Sequence, residues 1–180
     1  GGNIYEKNNH NLSQLKLCER ILDKKKPIWG SCWGMQVIVT ALGGFVKKSQ
    51  NPEFGYSKDI KIINPILNNS IYKNKRNTFD APAHHYDIVD KLPDEFEIIT
   101  ENEVCIQSIY SSSSNIFCTQ YHSELPYDYI ANLMLFWRDN YGKFFSDVEF
   151  DKVLGFLKTK EKEDRGERLK EIDNWLSLFS

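Results

Sequence analysis

Cys32 sits in the run "PIWGSCWGMQ" of residues 27–36, two residues after Gly30 and two before Gly34. A structural cysteine needs no glycine on either side. A nucleophile displayed on a tight turn does. In a G-x-C-x-G run between a strand and a helix, the nucleophile stands on a strained turn at the carboxyl end of a sheet, and the glycines let neighbouring backbone approach closely. The N-terminus of the following helix sets partial positive charge beside the sulfur. It also aims free N–H groups at an oxyanion forming next to it. Taken alone, Cys32 reads equally well as a small buried hydrophobe on an ordinary βα turn.

A thiol nucleophile needs a base, and the base needs an orienting partner. The run "TQYHSEL" offers both: His122 at a predicted strand end, and Glu124 two residues on. Residues i and i+2 of an extended segment face the same side. Glu124 would then hold one ring nitrogen while the other faces the sulfur. Singly, His122 reads as a satisfied or surface histidine and Glu124 as a solvated carboxylate. It is the pairing of GxCxGxQ with a downstream Q-Y-H-x-E that chance rarely produces.

The elements that must position these groups follow from the pattern. Leu12, Leu15, Cys18, Ile21 and Leu22 recur at helical spacing, predicting a helix over 12–25 with Ser13 near its N-cap and Pro27 ending it. "PIWGS" reads as a short buried strand and "WGMQVIVTALGG" as a helix stopped by Gly43-Gly44. Short strands are expected within 45–66, and "FDAPAHHYDIV" reads as a strand plus a loop holding two histidines. The segments "FEIITEN" and "VCIQSIYSSSSNIFCTQYH" alternate as strands, with the serine run as a polar hairpin turn. An aromatic-rich helix is expected over 126–142, then two more helical segments over 147–159 and 161–178. The organisation predicted is one domain over 1–143 with a helical extension at 144–180.

Composition narrows the function classes. A net charge of −2 over 180 residues gives no nucleic-acid or membrane footprint. No apolar run approaches the roughly 20 residues of a membrane span. The four scattered cysteines, Cys18, Cys32, Cys105 and Cys118, form no CxxC pair and read as free thiols of a reducing cytoplasm. The Asn-X-Ser matches at Asn11 and Asn68 are read as chance in a chain rich in Asn and Ser.

With these motifs in place, "PIWGSCWGMQVIVTALGG" followed by "QYHSE" resembles the class I (triad-type) glutamine amidotransferases, whose members carry P-x-x-G-x-C-x-G-x-Q and later Q-[FY]-H-P-E. "PEFGYS" at 52–57, "HYDIV" at 85–89 and "LPDEFEIITENEVCIQSI" fit the branch similar to the amidotransferase domain of GMP synthase. The resemblance covers about residues 1–137. It implies an α/β fold with an open, mostly parallel, flavodoxin-like sheet and helices on both faces. It further implies that Cys32 attacks the side-chain amide of glutamine and that His122 moves the proton while Glu124 orients it. Backbone N–H groups of Gly2 and Trp33 would hold the oxyanion. Gln36 and the backbone around His85 and Tyr86 would bind the glutamine head group. No cofactor and no metal are implied; neither His84 nor His85 is expected to act as a base. Asp87 is expected to hold its loop, and His10 to be exposed.

Three departures from the family pattern stand out. Ser123 replaces the proline between His and Glu, which is expected to loosen the turn without removing a functional group. Asn3 replaces the proline after Gly-Gly. Family domains also begin earlier, with strands of the central sheet, so the N-terminal strands are expected to be missing from this chain. The first functional expectation is a glutaminase that passes ammonia to a separate synthetase, since the chain carries no nucleotide-binding signature. The alternative is a stand-alone hydrolase of a γ-glutamyl amide conjugate. A non-catalytic regulatory or binding subunit would leave the intact Cys32, His122 and Glu124 without a purpose. Gln36 and the H-x-E spacing speak against a protease or esterase of another family.

Overall fold

A computed structural model describes residues 2–64 and 70–180. Gly1, the end of the 45–66 segment beyond Asn64, and Asn68 of the second Asn-X-Ser match lie outside the described residues. The elements are α1 (Asn9–Leu22), β1 (Ile28–Ser31), α2 (Trp33–Ala41), β2 (Phe45–Ile62), β3 (Thr78–Lys91), β4 (Glu97–Glu101), β5 (Ile106–Ser111), β6 (Ile116–Thr119), α3 (Tyr127–Phe136) and α4 (Asp147–Ser177). A 3-10 turn, Arg138–Tyr141, follows α3. None of these helices is long and apolar enough to cross a membrane.

The strands form one sheet in the order β1-β6-β5-β4-β2-β3. β1 and β6 run parallel, and the other four pairings are antiparallel. The α/β sheet expected from the sequence is present, but it is mixed rather than mostly parallel. The reason lies in the connections. A parallel neighbour needs a crossover of a dozen or more residues, whereas β4, β5 and β6 follow one another through short turns at 102–105 and 112–115.

Side chains alternate across the strands that carry the site. On β6, Ile116 and Cys118 join the core cluster that α1 and α2 cover, with Met35, Val39 and Ile109. Phe117, between them, points into a second cluster on the opposite face with Tyr72, Phe79, Ile99 and Tyr121. β1 repeats the alternation, with Ile28 on the first face and Trp29 on the second. Trp29 packs edge-on against Phe117 and against Trp175 near the end of α4. Full burial of a side chain such as Phe117 is worth about 1.5–3 kcal/mol. A third cluster, including Phe54, Tyr127, Ile130, Met134, Phe150 and Leu157, seats α3 and α4 on β2. Gly55, in the "PEFGYS" run, has φ +94°, and a Cβ there would stand 2.8 Å from Val153 Cγ1 of α4. Glycine therefore admits α4 at this point.

Several local expectations are corrected. α1 starts at Asn9 because Asn8, not Ser13, accepts the capping bond, from the N–H of Asn11. Asn11 itself is buried, its amide donating to the carbonyls of Asn3 and Glu6. The short strands expected after residue 45 merge into one 18-residue strand, β2, paired over most of its length with β3. That pairing also draws "APAHHYDIV" wholly into β3, so both histidines lie in a strand rather than a loop. The expected helix over 126–142 becomes α3 plus the 3-10 turn. The two C-terminal segments are one 31-residue helix, opened by a capping box of Ser146 and Glu149; no proline interrupts it.

Candidate active site

The chain places Cys32 at the corner between β1 and α2, as its N-cap residue, with φ +47° and ψ −100°. A side-chain-bearing residue held at positive φ is strained, and such strain persists only where surrounding structure enforces it. Here the Cys32 N–H donates to the Thr119 carbonyl at 2.7 Å, and its carbonyl accepts from the Gln36 N–H at 3.1 Å. The first-turn N–H groups of α2 follow directly and have no intrahelical acceptor. The two flanking glycines are not equivalent. A Cβ on Gly30 would stand 2.7 Å from Ile38 Cδ1 and 3.0 Å from the Gly34 backbone, whereas a Cβ on Gly34 meets nothing within 4 Å. Only Gly30 is there for close approach; Gly34 supplies the backbone that Gly30 must clear.

His122 lies three residues beyond the end of β6, not at the strand end, and its N–H is anchored on the Pro82 carbonyl of β3 at 2.8 Å. Its Nδ1 is 2.6 Å from Glu124 Oε1. The i, i+2 relation predicted from sequence is therefore present, although the segment is a bend rather than a strand. Burial opposes charge on His122, but hydrogen bonds to Cys32 and Glu124, and the charges of both, outweigh it and lift the imidazole to about 9. For Glu124, burial is likewise outweighed by His122, with help from Ser31, so that its carboxyl lies below the usual range. The opposite carboxylate oxygen accepts from Ser31 Oγ at 3.1 Å, and Ser31 Oγ in turn accepts from Trp29 Nε1 at 2.9 Å. A continuous polar chain thus runs from Trp29 through Ser31 and Glu124 to His122.

Gly2, Trp33, Gln36, His85 and Tyr86 line one 220 Å³ pocket together with Cys32. That is below the roughly 300 Å³ at which pockets for drug-sized ligands begin. The buried Gln36 amide donates to the Asp87 carbonyl at 3.0 Å, which fixes the backbone of 85–87 against α2. Asp87 also accepts from Tyr5 at 3.2 Å. The His85 ring is occupied on its far side by Glu53, at 3.0 Å, while Tyr86 is partly exposed.

Further residues complete the surroundings. The Gln120 side-chain N–H lies 3.7 Å from Cys32 Sγ, and the Cys32 thiol faces the His84 carbonyl at 3.9 Å. Burial first, then the nearby charges of His85 and His122, push His84 down to about 4, so its ring holds a proton poorly at neutral pH. Glu53 is buried, yet His85, Asn102 and Gln107 hold its carboxyl below the usual range. Glu53, His85 and Cys105 bring one ligand atom each within 4.8 Å of the others. Hydrogen bonds from His85, Asn102 and Gln107 meet the carboxylate, while His85 Nδ1 and Gln107 Oε1 are buried without a hydrogen-bond partner among the described residues. Burial, and then Glu53, push the Cys105 thiol up. All four cysteines are free. Ser31 and Gln120 lie inside the two motifs, where a sequence pattern can point to them. Glu53 lies in the "PEFGYS" run, but nothing in its spacing ties it to His85 or Gln107.

A strained thiol at the N-terminus of α2, and an imidazole that a carboxylate holds by one nitrogen, are groups that nucleophilic catalysis by cysteine employs. The sequence pattern of the family "Glutamine amidotransferase class-I" matches residues 7–136, and the chain belongs to that family. Its relatives include a glutamine-hydrolyzing GMP synthase from Petrotoga mobilis, 35% identical over 118 residues, which are 64% of this chain and 22% of that protein. They also include a subunit of the glutamine-hydrolyzing GMP synthase from Methanococcus vannielii, 33% identical over 141 residues, 77% of this chain and 66% of that one. The chain thus spans about a fifth of the first relative and just under two thirds of the second. Among solved structures, a glutamine amidotransferase from Thermotoga maritima shares the fold with a TM-score of 0.78 at 20% identity, over 97% of this chain and 74% of that one.

Proposed function

We propose that this chain hydrolyses the side-chain amide of glutamine to glutamate and ammonia, and that the ammonia passes to a separate synthetase subunit. The observation that carries this reading is Cys32, held strained in the pocket that Gln36, His85 and Tyr86 line, with His122, hydrogen-bonded to Glu124, raised in part by that thiol. The Methanococcus vannielii relative supports it, because that protein is named as one subunit of a glutamine-hydrolyzing synthase. The four free cysteines fit a reducing, cytoplasmic setting.

In this mechanism Cys32 Sγ attacks the amide carbon of glutamine. The proton leaving the thiol resides on His122, whose other nitrogen Glu124 holds. Backbone N–H groups of Gly2 and Trp33 stabilise the tetrahedral oxyanion, at the end of α2 where the dipole favours negative charge. His122 then delivers its proton to the departing nitrogen, and the C–N bond breaks to give ammonia and a γ-glutamyl thioester on Cys32. Water, deprotonated by His122, attacks the thioester and releases glutamate and the free thiol.

The test is turnover of glutamine against a panel of γ-glutamyl amides bearing larger amines. Ammonia release from glutamine at a rate above that of every conjugate is expected. Rapid cleavage of a conjugate with slow cleavage of glutamine would overturn this reading in favour of a stand-alone γ-glutamyl hydrolase.

A further inference from the structure

The residue between His122 and Glu124 is held from behind by the C-terminal helix. Ser123 is buried, and its hydroxyl donates to Glu171 of α4. Its carbonyl accepts from Arg168 Nη1, one turn earlier on α4, at 2.6 Å. Arg168 lies 3.6 Å from Glu161, and Glu161 accepts from the Tyr127 N–H at 2.8 Å. The segment from Ser123 to Tyr127 is therefore gripped at both ends by one helix. Glu171 is completely buried and faces Lys75 Nζ at 2.5 Å.

That helix is in turn fixed to the chain ahead of β3. Lys75 Nζ also donates to the Glu167 carbonyl at 3.0 Å, Arg76 pairs with Asp164 at 2.7 Å, and the Asn174 amide donates to the carbonyls of Ile71 and Lys73 at 2.9 Å. Buried ion pairs add little net stability over apolar packing of the same volume. What this network adds is direction: two hydrogen bonds onto Ser123. Serine leaves φ free where a proline ring would fix it, so the bend carrying His122 and Glu124 needs an outside restraint.

We infer that α4 is the brace of the His122–Glu124 pair, with Arg168 and Glu171 as positioning residues that act through Ser123. This rests on the reaction proposed above for its catalytic readout, but not for its structural one. Arg168→Met keeps the buried stem and drops the donor. In the folded variant, kcat for glutamine falls about tenfold while KM changes less than about twofold, because a misplaced group costs turnover rather than binding. The His122 titration followed by NMR moves from about 9 toward 6.5, as its contacts with Glu124 and Cys32 slacken. Arg168→Lys, which retains a donor, recovers most of both. Should Arg168→Met fail to fold, Ser123→Ala removes one hydroxyl only, and a loss in kcat of about threefold is expected. A folded variant with unchanged kcat and an unchanged His122 titration overturns the brace. If the wild type proves inactive on glutamine while the variants still move the His122 titration, the reaction is refuted and the brace stands.

Discussion

Ser31 Oγ donates to Glu124 Oε2 at 3.1 Å, across 93 residues of sequence. The residue beside the thiol therefore holds the carboxylate that orients the imidazole, and the two halves of the site are locked to each other. Trp29 Nε1 donates to Ser31 Oγ from the other side, which leaves the hydroxyl proton directed at Glu124. Because Trp29 is pinned between Phe117 and Trp175, the far end of this polar chain is set by core packing.

Removing that hydroxyl should be felt at the reaction. Ser31→Ala is expected to lower kcat for glutamine hydrolysis by about three- to tenfold, the net worth of a typical hydrogen bond. Steady-state ammonia release measures it. An unchanged kcat would mean that Glu124 is held well enough by His122 alone.

Glu124→Gln removes the charge and keeps the shape. A loss of about a hundredfold or more in kcat is expected, by analogy with other orienting carboxylates. The pH profile should change as well. His122 carries its proton up to about 9, so kcat/KM should fall as pH rises through that value. In Glu124→Gln the fall should move to lower pH.

The same shift makes a stability prediction. His122 is raised above its ordinary value of 6.5, to about 9. Its contribution to stability is therefore fully present below 6.5 and is lost as pH rises toward 9. Urea unfolding of wild type and His122→Gln should differ most below pH 6.5 and converge above pH 9. Parallel curves across that window would contradict the assignment.

The two glycines around Cys32 should respond differently. Gly30→Ala pushes a methyl into Ile38 and the Gly34 backbone, and should cost about 1–3 kcal/mol as an overpacking change. Gly34→Ala lies in open space on a helix and should be neutral or stabilising by about 0.5–1 kcal/mol. Thermal unfolding of the two variants distinguishes them.

Much of the site is legible in the sequence because its parts carry local signatures. The strand–turn–helix around Cys32 follows from a short apolar run, a tight turn and Gly43, whose φ of +86° ends α2. The His122–Glu124 pair follows from a two-residue offset. The rest depends on contacts between distant segments, which no local pattern encodes. The merger of β2 into one long strand, and the capture of His84 and His85 by β3, come from pairing between those two strands. The mixed sheet follows from short connections whose direction is fixed only when the strands meet. Ser123 reads as a loosened turn in sequence because its restraints, Arg168 and Glu171, lie some 45 residues away on a helix that the periodicity divides in two. The parity of Gly30 and Gly34 in the motif likewise hides a difference that only the approach of Ile38 reveals.

The central claim is that Cys32 is the atom that attacks. A glutamine-mimicking chloroketone, followed by mass mapping, tests it most directly. The expected result is a single adduct on Cys32, prevented by excess glutamine and absent in Cys32→Ala, with Cys18, Cys105 and Cys118 unmodified. A folded protein that leaves Cys32 unlabelled, or a Cys32→Ala variant that still releases ammonia from glutamine, would contradict it.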